Sequence, residues 1–283
     1  MRYAYYPGCT AKSTAIEYGE SIEETCRFLG IDLEEIPNWN CCGATSAHTI
    51  NRELAIALPA RNLALAERMC LDMVTSCPAC FLRHKAAHHQ LSKDQQLKLK
   101  TETIIDSQLK LSSTTKHILE VLYHDVGVNA IETKINKLLK GLKIVTYYGC
   151  YLVRPPEITE FDNPETPTLM DKIMEILGVE VIDWSYKVEC CGGGLALTNP
   201  EIIKRRVNKI CTSALEAGAE AIVTACHLCQ SNLDTYQLSS KGSNPIPILF
   251  FSELTALAFG STNVRRWLKK HVINPTQLLI KYD

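Results

Sequence analysis

Five cysteines in one pattern occur twice in this chain, and that repetition limits the fold more than any other feature. The first set is Cys9, the adjacent pair Cys41-Cys42 closed by Gly43, and Cys77-Pro78-Ala79-Cys80. The second is Cys150, then Cys190-Cys191-Gly192, then Cys226-His227-Leu228-Cys229. The spacings are C-x31-CC-x34-CxxC and C-x39-CC-x34-CxxC, so from the adjacent pair onward the copies differ by a constant 149 residues. A fixed offset of this length marks an internal duplication. With 283 residues available, it favours two medium domains over one large one. The expected division is 1–140 and 141–283, each half burying a core of its own.

Composition narrows the class further. Net charge is −1, and with no basic run or stripe nothing points to nucleic acid. The opening Met1-Arg2-Tyr3-Ala4-Tyr5-Tyr6-Pro7 runs directly into a strand-like segment, without a charged-then-apolar leader. The best candidate for a membrane span, Ile246 to Phe259, is broken by Pro247, Ser252 and Glu253 and falls short of the roughly 20 apolar residues required. A soluble, cytoplasmic protein without a transmembrane segment is expected. In that setting thirteen cysteines read as metal ligands or redox groups rather than a disulfide framework. Cys26, Cys70 and Cys211 stand outside the frame on predicted helix faces, as small buried hydrophobes.

Apolar periodicity predicts strands over 3–6, 33–39 and 71–75, and helices over 13–29 and 51–70, with a further helix opening at Cys77. The polar stretch 91–115 reads as a loop or exposed helix, and 115–123 as a helix. The second half repeats the plan, with strands over 143–147, 179–184 and 221–224 and helices over 169–177 and 201–217. Residues 246–257 echo the helix at 117–123. Alternation of this kind predicts an α/β fold: two duplicated cysteine-rich domains, each a small parallel sheet with flanking helices. Every cysteine site then follows the carboxyl end of a strand, the edge at which open α/β sheets hold ligands.

The chemistry of each site follows from its type. A CxxC that opens a helix meets free N–H groups and the positive end of the helix dipole, which favour thiolate. Neighbouring side chains of an extended chain point to opposite faces, so an adjacent pair serves one site only if the backbone turns sharply; Gly43 and Gly192 are free to take positive φ there. A tetrahedral zinc or an ordinary cubane cluster takes four ligands, whereas each frame holds five. Either one thiol per site is spare, or the metal assembly takes five, as when a thiolate bridges two irons.

The doubled frame resembles the tandem CCG (cysteine-rich) domains of the B subunit of heterodisulfide reductase and its bacterial relatives. All ten positions are filled. The resemblance implies two non-cubane [4Fe-4S] clusters, one held by Cys9, Cys41, Cys42, Cys77 and Cys80, the other by Cys150, Cys190, Cys191, Cys226 and Cys229. It implies an oxidoreductase subunit that cleaves a small-molecule disulfide between the clusters, fed by a ferredoxin-like C subunit and a flavin-containing A subunit. No glycine-rich dinucleotide fingerprint appears, so flavin or nicotinamide must reside on a partner.

Around the frame, Lys12 and Arg154 follow the first cysteine of each half and are candidates to hold an acidic substrate tail, with solvated loop charges as the bland alternative. His48 and His227 are candidate proton donors to a thiolate, ordinary structural histidines being the alternative. His84, His88 and His89 read as a polar helix face. Two other functions stand beside the first. One is a subunit of a succinate or fumarate dehydrogenase complex exchanging electrons with quinone, expected to carry a basic amphipathic helix near the C-terminus, where Trp267-Leu-Lys-Lys270 is basic but short. The other is a zinc-stabilised scaffold without a redox role.

Overall fold

The computed structural model describes residues 1–283 except 45–46, 197, 240–244 and 283, and the side chains of 48, 239 and 281. Two four-stranded parallel sheets carry the fold. In the first, β1 (Arg2–Tyr6), β2 (Asp32–Glu35), β3 (Met73–Thr75) and β4 (Thr115–His117) stand in the order β2-β1-β3-β4. In the second, β5 (Lys143–Tyr147), β6 (Glu180–Val181), β7 (Ala221–Thr224) and β8 (Ile248–Phe250) repeat it as β6-β5-β7-β8. Register repeats too: Ala4 pairs with Met73 in one sheet and Ile144 with Ala221 in the other. The central strands are short apolar runs buried on both faces, as parallel strands covered by helices must be.

The longer helices are α1 (Ile16–Phe28), α2 (Arg52–Arg68), α3 (Pro78–Lys93), α4 (Gln95–Ile105), α5 (Leu169–Ile176), α6 (Pro200–Glu216), α7 (His227–Tyr236) and α8 (Phe251–Ala258). Asn51 caps α2 by accepting from the N–H groups of Glu53 and Leu54. The helix continues through Pro59, which is buried within it. The predicted helices at 115–123 and 246–257 each begin as a strand: β4 runs directly into a helix at Ile118, and β8 into α8. A three-residue strand ahead of an apolar helix leaves no period-2 signal long enough to read.

Each half does bury a core of its own. Ile56, Ala60, Leu63 and Met73 fill one, and Val145, Ile203, Val207 and Ile222 fill the other. The largest core, however, belongs to neither half. Tyr18, Ile22 and Cys26 of α1, with Val74 and Leu119, pack against Ile144, Met170, Ile173, Leu249, Phe250 and Leu254 of the second half. Tyr18 stacks on Phe250 at 4.2 Å between ring centroids. Beside them, the Ser21 and Ser252 hydroxyls meet at 2.6 Å, and Trp267 donates to Glu20 at 2.6 Å. The first half's α1 therefore serves the second half's sheet. Among the described residues, no helix is long and apolar enough to cross a membrane.

Candidate metal centre

The cysteines sit where strands hand the chain to turns. Cys9 follows β1 and Cys77 follows β3, the two neighbours at which the strand order reverses, and Cys150 and Cys226 follow β5 and β7 in the same way. That reversal opens the crevice at the carboxyl edge of a parallel sheet.

Local chemistry shapes each turn, and does so twice. Gly8 and Gly149 take φ of +73° and +68°, and a Cβ at either would stand 3.2 Å from the Cys80 sulfur or 3.0 Å from the Cys229 sulfur. Gly43 and Gly192 take φ of +75° and +83°, and their N–H groups donate to the Cys41 and Cys190 sulfurs at 3.5 and 3.3 Å. Cys77 and Cys226 are helix N-caps whose sulfurs accept from the N–H of Cys80 and Cys229, both at 3.5 Å. Thr75 and Thr224, two residues earlier, accept the N–H of those caps at 3.3 Å. The Tyr6 and Tyr147 hydroxyls donate to the carbonyls of Asn40 and Glu189, at 2.9 and 2.5 Å, pinning the loop before each adjacent pair.

These turns bring the ten frame cysteines together as two fives. A cavity of about 320 Å³ is lined by Cys9, Cys41, Cys42, Cys77 and Cys80. A second, of about 30 Å³, is lined by Cys150, Cys190, Cys191, Cys226 and Cys229. All thirteen cysteines are free thiols. Among the described residues, no three Cys, His, Asp or Glu side chains gather about a point that would hold a single metal ion; the sulfurs rim a volume instead. Five soft donors with backbone N–H groups aimed at them suit an iron–sulfur cluster. The first cavity is the roomier of the two; the closest sulfurs, Cys42 with Cys80 and Cys191 with Cys229, lie 3.3 and 3.6 Å apart.

The cavities share a wall. Leu228 lines both, Pro78 of the first CxxC lines the second cavity, and His227 of the second CxxC lines the first. His227 hydrogen-bonds Cys77; burial alone would lower its pKa, but the Cys77 thiolate raises it to about 9. The Cys80 thiol and then His227 hold Cys77 well below the usual thiol range. Hydrogen bonds from Cys41 and Cys80 lower Cys42, and one from Cys150 lowers Cys190, while burial opposes both. Within each cavity the neighbouring thiols thus pull one another in opposite directions: Cys80 and Cys229 are pushed up as Cys77 and Cys226 are held down. Beneath the wall, the buried Tyr18 hydroxyl lies 2.9 Å from the Ser76 carbonyl and 2.8 Å from that of Ala225, the residues just before each CxxC.

Of the candidate residues around the frame, His227 lines a cavity. Lys12 pairs with Glu35 at 2.7 Å and Arg154 with Glu165 at 2.9 Å, all at the surface, and neither cation is among the cavity-lining residues. The side chain of His48 lies outside the described residues. His84 departs from the polar face expected of it: it is fully buried, its Nδ1 donates to the Cys80 carbonyl at 2.8 Å, and its Nε2 meets Asn62 at 3.3 Å. Asn62 in turn clasps the backbone of Asn40 from both sides, at 3.0 and 2.9 Å. The spacing of four between Cys80 and His84, one helical turn, was the available signal. In the second half Asn232 donates to the Cys191 sulfur at 3.6 Å. Cys26 and Cys211 are buried as expected, but Cys70 is exposed with φ +56°, beyond the end of α2.

Paired parallel sheets with a five-cysteine cavity at each reversal point define a tandem cysteine-rich-domain protein. The chain belongs to that family, that of the heterodisulfide reductase B subunits: residues 3–83 and 144–234 match the cysteine-rich domain CCG. Over 283 residues it is 33% identical to the 8-methylmenaquinol:fumarate reductase membrane anchor subunit of Wolinella succinogenes, covering 98% of each chain. It is 29% identical over 267 residues to the B subunit of the ferredoxin:CoB-CoM heterodisulfide reductase of Methanosarcina mazei, covering 89% of this chain and 87% of that one. The fold matches a crystal structure of a hypothetical protein from Helicobacter pylori with a TM-score of 0.73 at 11% identity, over 96% of this chain and 51% of that chain. This chain spans about half the length of that structure, and the likeness concerns fold alone.

Proposed function

We propose that this chain is the disulfide-reducing subunit of a heterodisulfide-reductase-like complex, carrying one non-cubane four-iron cluster in each five-cysteine cavity. The supporting observation is the pair of back-to-back thiol cavities divided by Leu228 and flanked by His227. When bound, such clusters accept and release single electrons, whereas a disulfide needs two electrons and two protons to become two thiols; two centres at one wall meet that parity. Cys9, Cys41, Cys42, Cys77 and Cys80 would hold the first cluster, and Cys150, Cys190, Cys191, Cys226 and Cys229 the second.

The first cavity is the better substrate site. Its lining includes Thr10, Glu17, Ser231, Asp234 and Lys270, which suits a polar disulfide. His227 would set a ring N–H beside Cys77, at a wall lined by the apolar Leu228 and Pro78. Electrons would come from a ferredoxin-like subunit and, behind it, a flavoprotein.

The test is anaerobic loading of the full chain with iron and sulfide. Assays should return about eight of each per chain, and reduced viologen should then convert a small disulfide to two thiols with both cavities intact. A fully active preparation with one cluster per chain, or a colourless zinc-loaded chain without acid-labile sulfide, refutes the reading.

A second reading, electron exchange with a quinol, is favoured by the 33% identity to a subunit named for methylmenaquinol:fumarate reductase. The basic C-terminal segment expected of it is a five-residue helix, Val264–Leu268, with Trp267 and Leu268 buried. Reduction of a water-soluble menaquinone analogue in place of any disulfide would select this reading.

A further inference from the structure

The second cavity has a thin outer wall. One of its five thiols, the half-buried Cys190, also lines a separate surface groove of about 440 Å³. The groove is walled by Tyr186 and by Arg205, Arg206 and Lys209 of α6. Arg206 Nη1 donates to the Cys190 carbonyl at 3.2 Å, and the Lys209 ammonium stands 5.5 Å from the Tyr186 ring centre. Lys204 sits on the same helix, paired with Glu201 at 2.7 Å, and Glu189 lies 4.0 Å from Arg206. Arg205, Arg206 and Lys209 form a patch where α6 meets the loop carrying Cys190.

The two thiol cavities therefore face different surroundings. The first, beside the exposed Cys9 and Cys41, is lined by Glu17 and Asp234, both buried, and by Lys270, which stands 3.9 Å from Glu17. The second backs onto a groove whose three cations, Arg205, Arg206 and Lys209, all stand exposed at the surface. These cations are spread over more than one turn of helix instead of converging on a point, which matches an extended acidic surface better than one small anion.

We propose that this groove docks an acidic one-electron carrier protein, so that electrons enter beside Cys190 and the substrate is handled at the first cavity. The proposal rests on the reading of the cavities as iron–sulfur sites. Each docked carrier is oxidised by one electron. Two carriers in succession supply the pair that, with two protons, turns one disulfide into two thiols. Entry and exit on separate faces let carrier and substrate bind together. Complementary charge raises the encounter rate and makes it salt-dependent.

The test uses the cluster-loaded full chain and an acidic ferredoxin as probe. Its affinity is read by fluorescence anisotropy, its contact by carbodiimide cross-linking to lysines, and its electron transfer by cluster bleaching. The variant Arg205→Glu/Lys209→Glu leaves Cys190 and Arg206 in place. It should weaken ferredoxin binding and slow bleaching by about tenfold or more, flatten the salt dependence, and leave bleaching by the small cation reduced methyl viologen within about twofold of the parent. Cross-links in the parent should map to Lys204 and Lys209. Unchanged ferredoxin affinity in the variant overturns the proposal, as do cross-links confined to another face. It is likewise overturned if inorganic phosphate binds the parent but not the variant while ferredoxin binding is equal, since the groove is then a small-anion site. A chain that takes up no iron fails at the earlier reading, and is recognised by its lack of colour before any carrier is added.

Discussion

The Tyr18 hydroxyl offers the sharpest test of how the halves are joined. It has one proton and two carbonyl neighbours, Ser76 at 2.9 Å and Ala225 at 2.8 Å, so it satisfies the two in alternation. Tyr18→Phe removes the hydroxyl and keeps the ring stacked on Phe250, so no cavity is made. Ser76 retains a second donor, His117 Nε2 at 3.0 Å, and the loss falls on Ala225, directly before Cys226. A buried acceptor stripped of its partner costs about 1–3 kcal/mol. For a chain of this size that lowers the midpoint of thermal unfolding by about 2–4 °C per kcal/mol. The assay is denaturant unfolding of parent and variant, with iron content measured after anaerobic loading. The expected result is a loss within that range, with the second cavity losing iron before the first. A change under about 0.5 kcal/mol, or equal iron loss from both cavities, would refute the reasoning.

Three further outcomes can be measured. Gly149→Ala meets both a left-handed backbone and the Cys229 sulfur 3.0 Å away, whereas Gly30, also at φ +68°, has nothing within 4 Å; both substitutions should cost about 1–2 kcal/mol for the backbone, but only Gly149→Ala should lower iron uptake. His271 is buried 2.8 Å from Glu253; burial alone would lower its pKa, but the Glu253 carboxylate raises it to about 9. Its stabilising effect is thus fully present below its ordinary value of 6.5 and is lost as pH rises through 9, so folding free energy should fall by up to about 3 kcal/mol across that window and His271→Gln should flatten the curve; stability that rises instead would contradict the pairing. Iodoacetamide on the iron-loaded native chain should label the exposed Cys70 and spare Cys26 and Cys211, whose thiols burial pushes up to about 12, as peptide mapping will show.

Much of the architecture could be read from residue order. The constant offset between the frames predicted twin sheets, and the glycine after each adjacent pair predicted the positive φ found at Gly43 and Gly192. What escaped reading depended on tertiary placement. His84 looks like one of three polar histidines until α3 is docked, when its face proves to be the one carrying Cys80. The matched tyrosines three residues before Cys9 and Cys150, and the threonines two residues before each CxxC, were repeated in plain sight; nothing in a linear pattern says that a phenol will clasp a carbonyl some forty residues away. The fourth strand of each sheet was hidden because an apolar run of this length serves strand or helix equally well. Lys12 and Arg154 lie three and four residues after the first cysteine of each frame, yet each is engaged by a carboxylate at the surface.

The seam between the halves has a consequence for how such a protein can be divided. α1 lies on the far side of that seam, with Tyr18, Ile22 and Cys26 buried among second-half residues. A fragment ending near residue 140 would expose this oily face to water. Its simplest remedy is to lay the same helix across a sister copy, so a lone half is expected as a symmetric twin or a precipitate, never as a stable single body.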